Sequence, residues 1–160
     1  VNPGTLKASR GDSLGKYYED LEIGEKFTSS SRTITEADVV DFARISGDYN
    51  PLHIDSQYAQ TTRFKKRIAH GALTFSVMTG LWDRLGIMRE TLIAFYGVDT
   101  LRFLNPVYIG DTIHVESEVT EKQDRGKDGL ITVLSTVFNQ RNENVMVCTS
   151  SLLMKKKRPG

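Results

Sequence analysis

Cysteine is almost missing. The single thiol, Cys148, cannot close an intrachain disulfide, which excludes a disulfide-stapled secreted scaffold. Histidine is scarce too, at three residues, and that ligand count disfavours a metal cluster. No charge sign dominates: Lys and Arg total 21 against 20 Asp and Glu, a balance that argues against a dedicated nucleic-acid or anionic-membrane binder. No apolar run approaches the roughly 20 residues that span a bilayer, and residues 1–16 lack the apolar stretch of a signal peptide. A soluble, cytoplasmic protein is expected. Its 160 residues suit one ordinary domain, and a second full-sized core would be hard to fit.

What is present divides into one domain with two short ends. Residues 1–16, rich in Gly, Ser, Asn and Lys without periodicity, predict a flexible arm. Residues 155–160, from Lys155 through Arg158 and Pro159, predict a solvated basic tail. Between them, residues 17–154 contain no repeat and no Pro/Ser linker. Residues 27–34 pattern as a strand. Thr35 followed by Asp38 marks a helix start, Val39, Phe42 and Ala43 carry its apolar stripe, and Gly47 ends it. Asn50-Pro51 then breaks the helix, because the residue before proline is pushed to extended backbone. Asp55 caps a short turn through Tyr58 and Ala59.

Residues 70–85 are the longest helical candidate. Leu73, Phe75, Val77, Met78, Leu81, Trp82 and Leu85 wrap nearly all round it, which predicts burial. Ala72, Ser76 and Gly80 form a strip of small residues where backbone or ligand can approach. After it the period changes to two, first in 93–103 and then where Ile113, Val115 and Val119 alternate with His114, Glu116 and Glu118. Ile131, Val133 and Val137 repeat the pattern, and 145–153 closes it, with polar turns at 124–129 and 139–144. Such strands imply an antiparallel meander. The fold class is therefore α+β, one long central helix wrapped by a curved antiparallel sheet. Its open edge is expected to pair with a second copy, giving a homodimer.

Two stretches could carry chemistry. In Ser46-Gly47-Asp48-Tyr49-Asn50-Pro51-Leu52-His53, a carboxylate and an imidazole stand five residues apart in a loop held irregular by glycine and proline. Histidine, with a reference pKa of about 6.5, exchanges protons near neutrality, and an aspartate facing it can orient the ring or deprotonate water. For an isolated pair the competing reading is a turn in which Asp48 caps amides and His53 merely packs. The second stretch, Arg67-Ile68-Ala69-His70-Gly71-Ala72, opens the long helix. Amides at a helix start lack internal partners and carry the positive end of the helix dipole. Glycine there lets a carbonyl oxygen approach, as in an oxyanion hole, although packing and capping explain a helix-initiating His-Gly equally well.

Taken together, the run from Phe42 to His53, with Ala59 following, resembles the signature of the MaoC-like hydratases, the R-specific enoyl-CoA hydratases of the hot-dog fold. His70-Gly71 falls at the interval where that family begins its central helix. Asn105-Pro106-Val107-Tyr108-Ile109-Gly110-Asp111-Thr112 resembles its later strand-turn segment, so the resemblance covers residues 17–154. It implies a single hot-dog unit and reversible hydration of a trans-2-enoyl thioester to the (R)-3-hydroxyacyl thioester. Asp48 and His53 become the catalytic pair, with Asp48 the base toward water. Asn50 orders the loop and the water, and the Gly71 amide holds the thioester carbonyl. Thr79 stands where the family often has serine. No metal or organic cofactor is implied, coenzyme A being part of the substrate.

Coenzyme A carries phosphates, and Arg63, Lys65, Lys66 and Arg67 lie between the two motifs, where they could bind those phosphates, meet the acidic surface of an acyl carrier protein, or be plain surface charge. Residues 82–92, with Arg84 and Arg89, are expected to border the acyl end of the pocket. A hot-dog thioesterase is the nearest enzyme alternative, but it commonly carries its base on the central helix, and 70–79 has no carboxylate. A non-catalytic acyl-thioester-binding subunit is the other reading; the intact Asp48/His53 pair argues against it.

Overall fold

The computed structural model describes residues 15–157. After a short 3-10 turn at Tyr18–Asp20, the elements run β1 (Lys26–Thr28), β2 (Arg32–Thr33), α1 (Glu36–Ser46), α2 (Pro51–Ile54), α3 (Ser56–Thr61), α4 (Gly71–Leu85), β3 (Leu92–Phe103), β4 (Thr112–Asp124), β5 (Asp128–Phe138) and β6 (Asn144–Lys155). The sheet has the order β1-β4-β5-β6-β3, with β2 also beside β4. All its pairings are antiparallel. With α4 packed on its inner face, this is the hot-dog arrangement the resemblance implied.

Local chemistry explains most element ends. Thr35 Oγ1 accepts the Asp38 N–H at 3.2 Å while the Asp38 carboxylate accepts the Thr35 N–H at 2.8 Å, a reciprocal cap at the start of α1. Gly47 ends that helix with φ 76°, a left-handed conformation that costs glycine little. Asp55 Oδ1 accepts the N–H groups of Gln57 and Tyr58 at the start of α3.

Four expectations change. Asn50-Pro51 does not end regular structure: Asn50 is extended, but Pro51 opens the one-turn helix α2, as its fixed φ and missing N–H favour. Residues 27–34 split into β1 and β2. At the break the Ser29 hydroxyl accepts the Val115 N–H at 3.0 Å, replacing a strand-to-strand carbonyl. The strands are not a simple meander, because β3 lies beside β6 at the sheet edge rather than beside β4. Finally, α4 is buried on one side only. Leu73, Val77, Met78, Leu81 and Trp82 join the core with Val115, Val119, Ile131, Val133, Met146 and Leu152, whereas Ala72, Ser76 and Gly80 are exposed.

Within that core the Trp82 indole N–H donates to Ser117 Oγ at 2.9 Å, and Ser117 shares a 2.7 Å bond with Ser135, so these three buried side chains satisfy one another. Of the expected arm, residues 1–14 lie outside the described part. Gly15 and Lys16 donate their N–H groups to the carbonyls of Arg89 and Ile87. Of the basic tail, Lys155 completes β6, Lys156 donates to Asp124 at 2.7 Å, and Lys157 pairs with Asp20. Lys156 and Lys157 thus pair with acidic neighbours, while Lys155 and Lys157 stay exposed; residues 158–160 lie outside the described part. No helix among the described residues is long and apolar enough to cross a membrane.

Candidate active site

The loop leaving α1 is held by its own side chains. Ser46 Oγ donates to the Phe42 carbonyl at 2.7 Å and accepts the Asp48 N–H at 3.1 Å. The Asp48 carboxylate accepts the Asn50 N–H at 3.1 Å, and Asn50 Oδ1 caps α2 by accepting the Leu52 N–H at 3.0 Å. This ladder places Asp48 in the loop and His53 on the first turn that follows.

His53 Nδ1 lies 2.7 Å from the Ile68 carbonyl. A carbonyl only accepts, so Nδ1 carries the hydrogen and Nε2 of the neutral ring keeps its lone pair. Burial holds the His53 pKa below its ordinary value. The Ile68 bond opposes that shift, nearby His70 adds to it, and Asp48 opposes it. The ring is thus set as a proton acceptor near neutrality.

His70 is the member that sequence reasoning missed. Buried at 2% exposure, it directs Nε2–H to the Asp48 backbone carbonyl at 3.0 Å. Its ring stacks on His53, with centroids 3.8 Å apart and planes at 27°. Ligand atoms of Asp48, His53 and His70 all lie within 4.8 Å of one another. Two of the three histidines therefore do converge, against the reading from their count. One water can bridge such a gap, since two hydrogen bonds of about 2.8 Å at the tetrahedral angle span about 4.6 Å. One metal ion suits it poorly: the lone pairs of stacked rings lie in nearly parallel planes, whereas ligand lone pairs must meet at the ion.

Beside the pair is a cavity of about 230 Å³ whose lining includes His53, Arg63, Gly71, Thr74, Phe103 and Asn105. Gly71 is the first residue of α4, and the His70 side chain caps none of the helix amides. A Cβ at Gly71 would stand 2.8 Å from the Phe103 ring, so glycine keeps helix start and ring together. The far wall comes from the segment after β3: the Ala69 N–H donates to the Val107 carbonyl at 2.7 Å, and Ile68 bridges to Tyr108. Thr74 and Phe103 were also missed; nothing local to their sequence marks them.

The remaining candidates separate. Arg63 lines the His53 cavity, Lys66 lines an adjoining depression that shares Phe64, Asn105 and Pro106 with it, and Lys65 lines a third. Arg67 is engaged by Glu36. Thr79 is not brought to the pair. It lies eight residues beyond Gly71, about 12 Å along the helix, and its hydroxyl donates to the Ser76 carbonyl at 2.7 Å. Thr79 instead lines a second, apolar cavity of about 290 Å³ with Trp82, Met88, Arg89, Leu92 and Phe95. Arg89, but not Arg84, borders that space.

The family model described as MaoC like domain matches residues 20–139. An (R)-specific enoyl-CoA hydratase of Rhodospirillum rubrum is 40% identical over 112 residues, covering 70% of this chain and 75% of that protein. Protein MaoC of Klebsiella aerogenes is 39% identical over 116 residues, or 71% of this chain; the match spans only 34% of that longer protein. Among solved structures, a monoamine oxidase regulatory protein from Archaeoglobus superposes with a TM-score of 0.85 at 41% identity, covering 90% of this chain and 97% of that one.

Proposed function

The chain belongs to the MaoC-like domain family, and from that premise we propose that it hydrates trans-2-enoyl thioesters reversibly to (R)-3-hydroxyacyl thioesters. The observation that carries the reading is the pairing of Asp48 with a His53 whose Nε2 is left as an acceptor by the Ile68 carbonyl, beside the cavity that Gly71 lines at the start of α4. Asp48 and His53 hold one water. As its oxygen bonds to C3, an O–H bond breaks and Asp48 takes the proton. The π electrons move toward the thioester oxygen, where the Gly71 N–H stabilises the enolate-like charge. The proton taken from water returns through His53 to C2, completing addition of H and OH. No metal or organic cofactor enters the scheme.

Arg63 at the cavity and Lys66 and Lys65 farther out receive the phosphates of coenzyme A or of a carrier protein's prosthetic arm. Asn50 keeps the loop in register through its cap on α2. The acting species is a homodimer. Edge strand β3 leaves Leu92, Ile93, Phe95, Tyr96 and Val98 exposed, an apolar edge that a second copy would cover.

Purified protein mixed with crotonyl-CoA tests the reaction. Loss of the conjugated enoyl absorbance without free thiol means hydration; thiol release means a thioesterase. Asp48→Asn and His53→Ala should each abolish the absorbance change while thermal melting stays within a few degrees of wild type. Full activity in both variants would remove the pair from the mechanism.

A further inference from the structure

His70 is a poor choice for the place it occupies. Ser, Thr, Asp and Asn favour the residue before a helix because their side chains cap its amides, and the His70 side chain caps none. Its Nδ1 is buried with no hydrogen-bond partner among the described residues. A phenylalanine would fill the same slot, stacking on His53 and tilting against Phe42, whose ring centroid lies 5.1 Å away, and would leave no nitrogen unpaired. What phenylalanine lacks is the donor to the Asp48 carbonyl.

On the hydratase reading, we infer that His70 is a positioning residue, holding Asp48 by a hydrogen bond and the His53 ring by stacking, and tying both to the helix that begins at Gly71. One side chain thereby contacts both groups proposed to hold the water and immediately precedes the amide proposed to hold the carbonyl. The two stacked rings carry opposite tautomers as a result: Nδ1–H on His53, directed to Ile68, and Nε2–H on His70, directed to Asp48.

The test compares wild type with His70→Phe, which keeps the stack and loses the donor, and His70→Gln, whose amide N–H reaches about as far as Nε2. With crotonyl-CoA, His70→Phe should lower kcat by about 100-fold, the scale for a displacement of about 1 Å at a reacting centre, with little change in KM. His70→Gln should recover about tenfold of that loss. A merely structural role predicts losses that follow the thermal melts and no rescue. Wild-type kcat in His70→Phe, or a glutamine variant no faster than phenylalanine at equal Tm, overturns the inference.

Imidazole nitrogen NMR of the wild type provides a reading that needs neither variant to fold. It should find Nε2–H on His70 and Nδ1–H on His53, and Nδ1–H on His70 refutes the bond to Asp48. If the wild type hydrates no enoyl-CoA, the hydratase reading fails by itself. The positioning role then stands or falls on those tautomers and on whether His70→Phe, unlike His70→Gln, shifts the backbone amide signals of residues 48–50.

Discussion

Replacing Gly71 by alanine should slow hydration without weakening the fold. The new Cβ would stand 2.8 Å from the Phe103 ring, where an ordinary carbon–carbon contact needs about 3.5–4.0 Å, so one side must retreat by about 0.8 Å. Phe103 is 51% exposed, while the first turn of α4 is anchored by the buried Leu73 and Thr74; the ring yields first. That ring lines the same cavity as Gly71, so its shift disturbs the proposed seat of the thioester. A misplacement of about 1 Å costs about 100-fold, and kcat with crotonyl-CoA should fall by about 10- to 100-fold, or about 1.4–2.7 kcal/mol. Stability should hold, because alanine exceeds glycine in a helix by up to about 1 kcal/mol, which offsets the lost contact. Enoyl absorbance at saturating substrate and a thermal melt measure the two quantities. Phe103→Ala in the same chain removes the collision and should restore most of the rate. A double variant as slow as Gly71→Ala alone, or a single variant with wild-type kcat, refutes the steric account.

The kcat/KM profile should keep its plateau to below the usual histidine midpoint of about 6.5, since burial holds the His53 pKa down. As pH falls through that lowered value Nε2 is protonated and the rate drops; an acid limb centred above 6.5 would contradict the dominance of burial over the Ile68 bond and the Asp48 charge at His53. The same shift links to stability, which this residue supports fully above its unfolded pKa and less as pH falls. Charge reversal at Lys65 and Lys66 should raise KM for crotonyl-CoA several-fold with kcat unchanged, and leave a short pantetheine thioester without phosphates unaffected; equal effects on both substrates would mean a structural role. Asp111, 4% exposed, accepts from Arg141, Gln140 and the Tyr108 N–H. Burial pushes its pKa up, but those bonds and the Arg141 charge outweigh burial and leave it below the usual range. Asp111→Ala should cost about 2–3 kcal/mol, below the about 3–5 kcal/mol for breaking a fully buried pair, because Arg141 can turn to water. A melt unchanged by the substitution counts against this. In the wild type this contribution is present above the ordinary carboxylate pKa of about 3.9 and is lost as pH falls through the lowered value.

Local signals were the legible part of the fold. The Thr35/Asp38 cap, the Gly47 stop and the Asp55 cap each act within four residues, so they read directly from the chain. The strand order could not be read that way. β3 and β4 follow one another, yet β3 sits beside β6, a choice settled by pairing of residues far apart in the chain, from Phe103 with Met146 to Leu92 with Met154. The α4 pattern misled for a related reason. Its apolar residues surround the helix, but the sheet covers one side, and the Ala72, Ser76 and Gly80 side is left exposed. A surface that is apolar without being buried in one chain cannot be told from core by periodicity, because periodicity records what must be covered and not by what.

The candidate site divides along the same line. Asp48 and His53 are close in sequence, and the turn chemistry of Ser46, Asp48 and Asn50 holds them close in space, so their association was visible in the motif. His70 reaches the pair only because the chain returns after α3 and is pinned by the Ala69–Val107 hydrogen bond and the Ile68–Tyr108 bridge. Its one local trace is a histidine directly before the helix-opening glycine, in a chain with three. The group that decides the chemistry has no side-chain signature at all. The Ile68 carbonyl fixes the hydrogen on His53 Nδ1 and so selects Nε2 as the acceptor. Any residue could supply that carbonyl; only its placement by the return of the chain leaves His53 Nε2 as an acceptor.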